Sequence, residues 1–267
     1  MSRHHRILTG LLGAVCANVA SVDARGQGVV AALDEYRSKL AWLEPYDSML
    51  LSRRLTTQWE YEDREEGSAN AKWLWNLRWA FLMGKNFAVG MQIEAPLRWL
   101  NEAGTESIGF GNIETRVGFV SRLSDTSRWG LSLNAKFPMT SSEVAGEDLF
   151  ELRPIFGVRW DAMDWLELGL GLEYTFTPHD EGAEEVAAID LKVPVVVKLA
   201  DKLTGLISYN PRRNFANNSS RHRLELGVTR FFGIKNEYAV SIGGEIPLTD
   251  EALDWKGSIG FTWYFKN

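Results

Sequence analysis

The chain of 267 residues carries a formal net charge of −6 and has a mean hydropathy of −0.19, which excludes a polytopic helical membrane protein and argues against nucleic-acid binding. Its 11 Trp, 13 Phe and 7 Tyr, together with 24 Gly, are typical of β-strands and of the aromatic girdles of membrane barrels. With Cys16 as the single cysteine, a disulfide framework is excluded.

The first residues have the pattern of an export signal. Arg3 and Arg6 make a basic start, the apolar run that follows is too short to span a membrane comfortably, and Val22–Asp23–Ala24 offers small residues for cleavage,. We expect residues 1–24 to be a signal peptide, so that the mature chain lacks cysteine. The alternative is a lipoprotein that is lipidated on Cys16.

Residues 25–50 are predicted to form a periplasmic segment that precedes the main domain. Their apolar side chains recur at helical spacing, and Pro45 ends the pattern. These side chains are Val29, Leu33, Tyr36, Leu40 and Leu43. We expect a short amphipathic helix, which plugs the lumen described below, binds a periplasmic partner or rests against the periplasmic rim.

From residue 51 onward the hydrophobic pattern changes to period two. Trp73, Trp75 and Leu77 alternate with Asn76 and Arg78, and side chains two apart in a strand share a face. One face is therefore apolar and the other polar. The same alternation recurs along the chain and predicts twelve strands, at residues 53–62, 71–83, 87–95, 112–119, 131–137, 153–160, 166–176, 189–199, 203–210, 221–231, 238–248 and 255–265.

The connections between these strands alternate between short and long. The short ones lie near residues 84–86, 124–128, 161–164, 200–202 and 232–236. The long, polar ones lie near residues 63–70, 101–109, 140–149, 177–187, 212–220 and 249–254. This arrangement is typical of bacterial outer-membrane barrels, in which the short turns and both termini face the periplasm.

The predicted fold class is therefore all-β: residues 51–267 form a transmembrane, antiparallel, up-and-down β-barrel of about twelve strands in a Gram-negative outer membrane. A closed sheet satisfies every backbone N–H and C=O in hydrocarbon because it has no edge. The alternative is a soluble β-sandwich or a lipocalin-like barrel, whose interior would be the apolar face.

If the apolar faces point toward lipid, the polar faces line the lumen. The candidate lumen-lining residues are Arg78, Gln92, Glu94, Asn112, Glu114, Arg116, Asn134, Lys136, Arg153, Arg159, Glu167, Glu173, Asp190, Lys192, Arg223, Glu225 and Glu245. Their charges nearly cancel, so the sum predicts no strong ion selectivity. Either these residues surround a path for small solutes, or they pair across strands and plug a structural or surface-interaction barrel.

A third hypothesis is a lipid hydrolase of the outer membrane. Ser220 and His222 lie two apart at a strand end, with Asn217 and Asn218 nearby, but nucleophilic catalysis needs a base and a residue that orients it. His179 is the other histidine of the mature chain, which argues against a histidine-rich metal site. We therefore expect a protein that is not an enzyme and needs no cofactor.

Two motifs resemble a known family. Residues 109–119 read GFGNIETRVGF and residues 133–140 read LNAKFPMT, and both resemble strands of the outer-membrane proteins grouped as the MetA-pathway phenol-degradation or transporter family. The resemblance implies a monomeric barrel that is linked to uptake of aromatic or other small organic compounds. We further expect contacts with outer-membrane lipid and lipopolysaccharide, the latter near the arginines of residues 212–223, and with the barrel-assembly machinery during biogenesis.

Overall fold

The structure, a computed structural model, describes most of the chain beyond residue 52. The described ranges are 53–64, 68–82, 87–102, 105–138, 150–178, 187–233, 236–249 and 253–265. The predicted signal peptide and the predicted helix of the periplasmic segment lie outside them. Within these ranges, no helix has both the length and the apolar character that crossing a membrane requires.

The described residues form thirteen strands. In chain order they are β1 (Arg54–Arg64), β2 (Ala69–Leu82), β3 (Phe87–Glu102), β4 (Thr105–Phe110), β5 (Ile113–Arg122), β6 (Ser127–Phe137), β7 (Glu151–Met163), β8 (Leu166–Phe176), β9 (Ala187–Ala200), β10 (Leu203–Asn214), β11 (Ser219–Phe232), β12 (Tyr238–Pro247) and β13 (Leu253–Tyr264).

The strands close into one antiparallel barrel. Apart from β4 and β5, consecutive strands pair with each other, β1 pairs with β13, and the pairing of β2 with β3 completes the ring. β4 and β5 occupy one position in the wall, because β3 pairs first with β5 and then, farther along, with β4. The wall therefore has twelve strand positions, and the predicted barrel of about twelve strands is confirmed.

The interruption between β4 and β5 falls at Gly111 and Asn112. The Gly111 N–H donates to the Pro96 carbonyl oxygen over 2.9 Å. A Cβ at Gly111 would lie 3.0 Å from both Pro96 Cγ and Arg98 Nε, so this close approach favours glycine. The prediction of a long loop up to residue 109 was wrong, because β4 extends the wall and its first three residues, 105–107, are polar and carry no apolar alternation.

The hairpin between β10 and β11 differs from the sequence prediction in the same way. A loop was expected over residues 212–220, but both strands extend into it and leave only a turn between Asn214 and Ser219. Side-chain hydrogen bonds shape the turn: the Ala216 N–H donates to Asn214 Oδ1 over 3.0 Å and the Ser219 N–H donates to Asn217 Oδ1 over 3.2 Å. Local polar composition therefore did not mark the end of the strands.

The barrel is polar inside and apolar outside. On β6, Leu131 and Leu133 are each 44% exposed on the outer face, whereas Ser132 and Asn134 on the inner face are 9% and 2% exposed. A soluble barrel has the opposite arrangement, because water is its outer solvent. The soluble alternative is therefore wrong, and the outer face has the character of a surface in contact with lipid.

Aromatic rings border this outer face in two rows. Near the short turns, Phe119 lies 5.3 Å from Phe87 and 5.2 Å from Trp129, measured between ring centroids. Toward the long connections, Tyr61 and Trp255 lie 5.4 Å apart. Many outward side chains of the strands are Leu, Ile or Val. Two aromatic rows around an aliphatic band are the girdles that position a transmembrane barrel.

Candidate solute path through the lumen

Many of the inward-facing positions fall into three tiers, which follow one another from the long connections to the short turns. The charged tier comprises Glu60, Lys72, Glu94, Glu114, Lys136, Glu151, Arg153, Glu173, Asp190, Lys192, Arg212, Arg223, Glu225, Glu245 and Lys256. The small-residue tier comprises Gly90, Gly118, Gly130, Ser132, Gly157, Gly169, Gly171, Ser208, Gly227, Ser241, Gly243, Ser258 and Gly260. The lower tier comprises Ala80, Ala88, Val120, Arg128, Arg159, Glu167, Val196, Thr204, Phe231, Ala239 and Tyr264.

One ionic chain of the charged tier crosses five strands. Lys72 Nζ lies 2.7 Å from Glu60 on the neighbouring strand, and Lys256 Nζ lies 3.2 Å from the same carboxylate. Lys256 also lies 3.1 Å from Glu245, which Arg223 Nη1 approaches to 3.4 Å. The residues come from β2, β1, β13, β12 and β11 in that order, so the chain runs around the wall.

A second ionic group is centred on Arg153 of β7. Its guanidinium lies 2.5 Å from Glu151, 3.4 Å from Glu114 and 4.0 Å from Glu173. Lys136 Nζ reaches Glu151 over 3.2 Å. These residues come from β5, β6, β7 and β8, and one arginine thus offsets the charge of three carboxylates that neighbouring strands bring together.

The charged tier continues onto β9 and β10. Lys192 Nζ lies 3.9 Å from Glu173, and Arg212 Nη1 lies 3.4 Å from Asp190. The ion pairs named for this tier join residues of one strand, of adjacent strands, or of strands one position further apart. Such pairs lie along the wall. A plug would instead need pairs that join opposite sides of the barrel.

The lower tier contains a buried ionic cluster. Glu167 is 2% exposed and accepts hydrogen bonds from Arg128 and Arg159. The Arg159 Nη1 bond measures 3.3 Å, and Arg128 Nη1 also lies 3.4 Å from Asp161. Because isolated buried charges are costly, these residues depend on one another for their stability.

Apolar side chains make up another part of the lower tier, beside the buried Arg54 and Arg78. Phe231 and Ala239 are each 2% exposed, Tyr264 is 9% exposed, and the three form one cluster. The rings of Phe231 and Tyr264 lie 6.3 Å apart. Val120 of β5 and Val196 of β9 are also buried on this tier. The lining near the short turns thus combines apolar side chains with buried arginines, whereas the lining near the long connections is charged.

All of the residues predicted to line the lumen occupy inward positions of the wall. Ten belong to the charged tier, and Arg159 and Glu167 lie in the lower tier. Four others lie on the inner faces of β2, β3, β5 and β6, namely Arg78, Gln92, Arg116 and Asn134. Asn112, which is 2% exposed, lies at the interruption between β4 and β5. Lys192 has the most exposed side chain among the ion-paired residues of this prediction, at 54%. Whether a solute touches these residues stays a prediction.

Sequence reasoning missed several charged residues of the lumen. Glu60 lies between Trp59 and Tyr61, and Lys72 directly precedes the outward Trp73, so the period-two pattern was a sufficient sign of their orientation,. Arg128 was assigned to a short turn and Arg212 to a loop, yet both lie on strands. For these two residues, the polar neighbouring sequence concealed the strand.

Ser220 and His222, the candidate hydrolase residues, have separate partners. Ser220 Oγ accepts a hydrogen bond from Arg213 Nη1 over 2.8 Å, and His222 Nδ1 lies 2.6 Å from the Tyr209 hydroxyl. The His222 ring also stacks on Tyr209. Among the residues that the structure describes, no group of three or more His, Cys, Asp and Glu side chains has the geometry of a metal site.

Comparison with known proteins gives matches in structure but not in sequence. No family model and no curated protein matches the sequence. An outer-membrane channel from Pseudomonas putida superposes with a TM-score of 0.70 at 8% identity, over 80% of this chain and 96% of that channel. The chain has the fold of the outer-membrane β-barrel channels.

Two further solved structures support the same fold. The NanC porin superposes with a TM-score of 0.54 at 10% identity, over 80% of this chain and 100% of the porin. The toluene transporter TbuX from Ralstonia pickettii gives 0.52 at 9% identity, over 85% of this chain and 93% of the transporter. The resemblance to an outer-membrane transporter family inferred from sequence agrees with these matches at the level of the fold.

Proposed function

We propose that the protein is a channel or passive transporter for small solutes in the outer membrane, with its short turns and both termini on the periplasmic side. The observation that most strongly supports the proposal is the arrangement of the ion pairs in the charged tier. The pairs named above run around the wall, which is the arrangement expected of a barrel whose axis admits a solute. The apolar outer face and its aromatic rows support a membrane location.

The solutes that fit this path are small and organic. The charged tier offers both signs of charge to polar groups, and the lower tier offers apolar contacts, so a molecule with a polar and an apolar part finds favourable contacts with both linings. Aromatic compounds are one such class, which the sequence resemblance also implies. Two proteins with the same fold also support a small solute, because one is a toluene transporter and the other is a porin.

The structural or surface-interaction barrel and the lipid hydrolase are less well supported. A plug predicts ion pairs between opposite walls, whereas the pairs of the charged tier follow the wall. A hydrolase predicts a contact between Ser220 and His222, whereas the structure gives them separate partners, Arg213 and Tyr209. We therefore propose that the protein is not an enzyme.

The export signal, the segment boundaries, the oligomeric state and the contact with lipopolysaccharide are also proposals. We propose a signal peptide over residues 1–24, a periplasmic segment over residues 25–50, and a monomeric barrel over residues 51–267 that the barrel-assembly machinery inserts. Arg213 is exposed on the outer face near the turn between β10 and β11. It is placed to meet phosphate groups of lipopolysaccharide, because guanidinium groups bind phosphate well.

Reconstitution tests the transport proposal. Protein refolded into liposomes should release an entrapped small sugar, and single molecules in planar bilayers should produce conductance steps. Liposomes with heat-denatured protein are the control for nonspecific leakage. Intact, folded barrels that release no solute and produce no steps would contradict the channel and favour the plugged barrel.

A further inference from the structure

A recess in the lumen wall lies between β10 and β1, where the charged tier meets the small-residue tier. It has a volume of about 170 Å³. An apolar protein cavity of about 150 Å³ holds a benzene molecule. The recess therefore has the size of a compound with a single six-membered ring and a short substituent.

The wall and floor of the recess are suited to the carbon part of such a compound. Gly227 of β11 and Gly243 of β12 are register partners and both line it. Because neither carries a Cβ, the wall is indented there. Leu206, which is 6% exposed, contributes an apolar surface, and Ser241 and Ser258 contribute hydroxyl groups at the border. A flat or compact carbon body can lie against Leu206 and the two glycines, while the rest of the lining is mainly polar,.

The polar side of the recess is dominated by carboxylates. Glu60, Glu225 and Glu245 line it together with one cation, Lys256. The ionic chain described above provides Glu60 with two lysines, and provides Glu245 with Lys256 and an arginine. Glu225 differs from the other two carboxylates, because the contact that the structure describes for it is a hydrogen bond from the neutral Asn210 amide, 3.2 Å long.

The surroundings of Glu225 favour a further positive charge. Glu245 is its direct register partner on β12, and like charges in directly opposed positions of neighbouring strands destabilise a sheet. A cation at Glu225 would offset this repulsion and would form a charge-assisted hydrogen bond, which is stronger than a bond between neutral groups. An anion at the same place would be repelled by both glutamates.

We propose that this recess is a binding site for a small organic cation on the solute path. The ammonium group of the solute donates to the Glu225 carboxylate, and its carbon body lies against Gly227, Gly243 and Leu206. The hydroxyl groups of Ser241 and Ser258 can each donate a hydrogen bond to, or accept one from, a hydroxyl group of the solute. The inference rests on the proposed function only in that the solute reaches the recess through the lumen.

The chain contains a matched control for the role of Glu225. On the other side of the barrel, Asn76 Nδ2 donates to Glu94 over 2.9 Å, as Asn210 donates to Glu225. Glu94 is the register partner of another glutamate, Glu114, just as Glu225 is paired with Glu245. Glu94 does not line the recess. Glu94 therefore has the same charge and the same kind of amide partner as Glu225, but it lies outside the recess.

Calorimetric titration of the full folded chain in detergent micelles tests the site with three probes of similar shape: benzylammonium, benzyl alcohol and benzoate. We expect benzylammonium to bind at least tenfold more tightly than the other two. Glu225→Gln should reduce the affinity for benzylammonium to that for benzyl alcohol. Glu94→Gln should leave the affinity within twofold of that of the unmodified chain.

A second variant separates the shape of the recess from its charge. Ser241→Leu places an alkyl group in the recess and removes no charge, and we expect it to weaken benzylammonium binding at least tenfold. Folding of each variant is checked by the shift in gel mobility that barrels show on heating. If Glu225→Gln does not fold, the probe series and Ser241→Leu still decide the question.

Equal binding of benzylammonium and benzyl alcohol would overturn the inference, and so would an equal loss of binding in Glu94→Gln and Glu225→Gln. The proposed channel fails in a different experiment. If the protein binds benzylammonium as expected but releases no solute from liposomes, the channel proposal is refuted and the binding site is supported. If the protein releases solute but Glu225→Gln does not change benzylammonium binding, the channel proposal is supported and the binding site is refuted.

Discussion

The buried ionic cluster of the lower tier gives a quantitative prediction for stability. Glu167→Gln removes one negative charge and leaves the guanidinium groups of Arg128 and Arg159 beside a neutral amide. Breaking a buried ion pair costs about 3–5 kcal/mol. This value for buried pairs applies here because Glu167 is only 2% exposed. Asp161 still lies 3.4 Å from Arg128, so one cation keeps a carboxylate. We therefore expect a loss of about 3 kcal/mol.

The assay is reversible urea unfolding of the barrel in liposomes, followed by tryptophan fluorescence. The control is Glu106→Gln, since Glu106 is exposed on β4 and its replacement should change stability by less than about 0.5 kcal/mol. Arg159→Met in the Glu167→Gln background should cost less than the sum of the two single changes, because it removes one of the two cations that Glu167 contacts,. A loss below about 1 kcal/mol for Glu167→Gln would refute burial of the cluster, since that is the value for ion pairs in water.

Three further results are expected. Leu133→Arg, midway along the outer face of β6, should destabilise the barrel in liposomes by about 2–4 kcal/mol, more than Leu133→Ala; equal losses would contradict contact with lipid. Gly169→Ala puts a Cβ 2.8 Å from Arg159 Nη1 and should lower urea stability by about 1–3 kcal/mol, whereas Gly171→Ala, with an ordinary contact of 3.5 Å, should change it little. Arg153→Met leaves three carboxylates of the charged tier without this cation, and reversal potentials should shift toward cations; an unchanged potential would show that ions do not pass this group.

Most of the barrel was predictable because the alternation of a strand is a local property. The faces of β6 follow from five residues such as Leu131–Ala135, and the structure orients each as the sequence pattern indicates. Prediction failed where strands extend beyond the apolar band. In β4 only Ile108 and Phe110 are apolar outward residues, and residues 105–107 before them are polar. At the tip of the hairpin between β10 and β11 the outward Arg213 and Ser220 are polar, so alternation no longer distinguishes a strand from a loop.

The candidate site was predictable residue by residue but not as a set of contacts. The inward orientation of Glu114 and Arg153 follows from their own strands. Their contact over 3.4 Å does not, because the two residues are 39 positions apart and on strands that are not adjacent. The same holds for Arg128 and Glu167, which are also 39 positions apart. Such contacts depend on the register of every intervening strand.

The sequence by itself therefore determined which side chains face lipid and which face the lumen, because a period of two places successive residues on opposite faces. The tertiary structure alone decided which charges meet. Closure of the sheet staggers each strand against the next, and that stagger gives Glu60 and Glu245 their cations while Glu225 receives an amide. The charges of the residues predicted to line the lumen nearly cancel, but their distribution around the wall is not uniform.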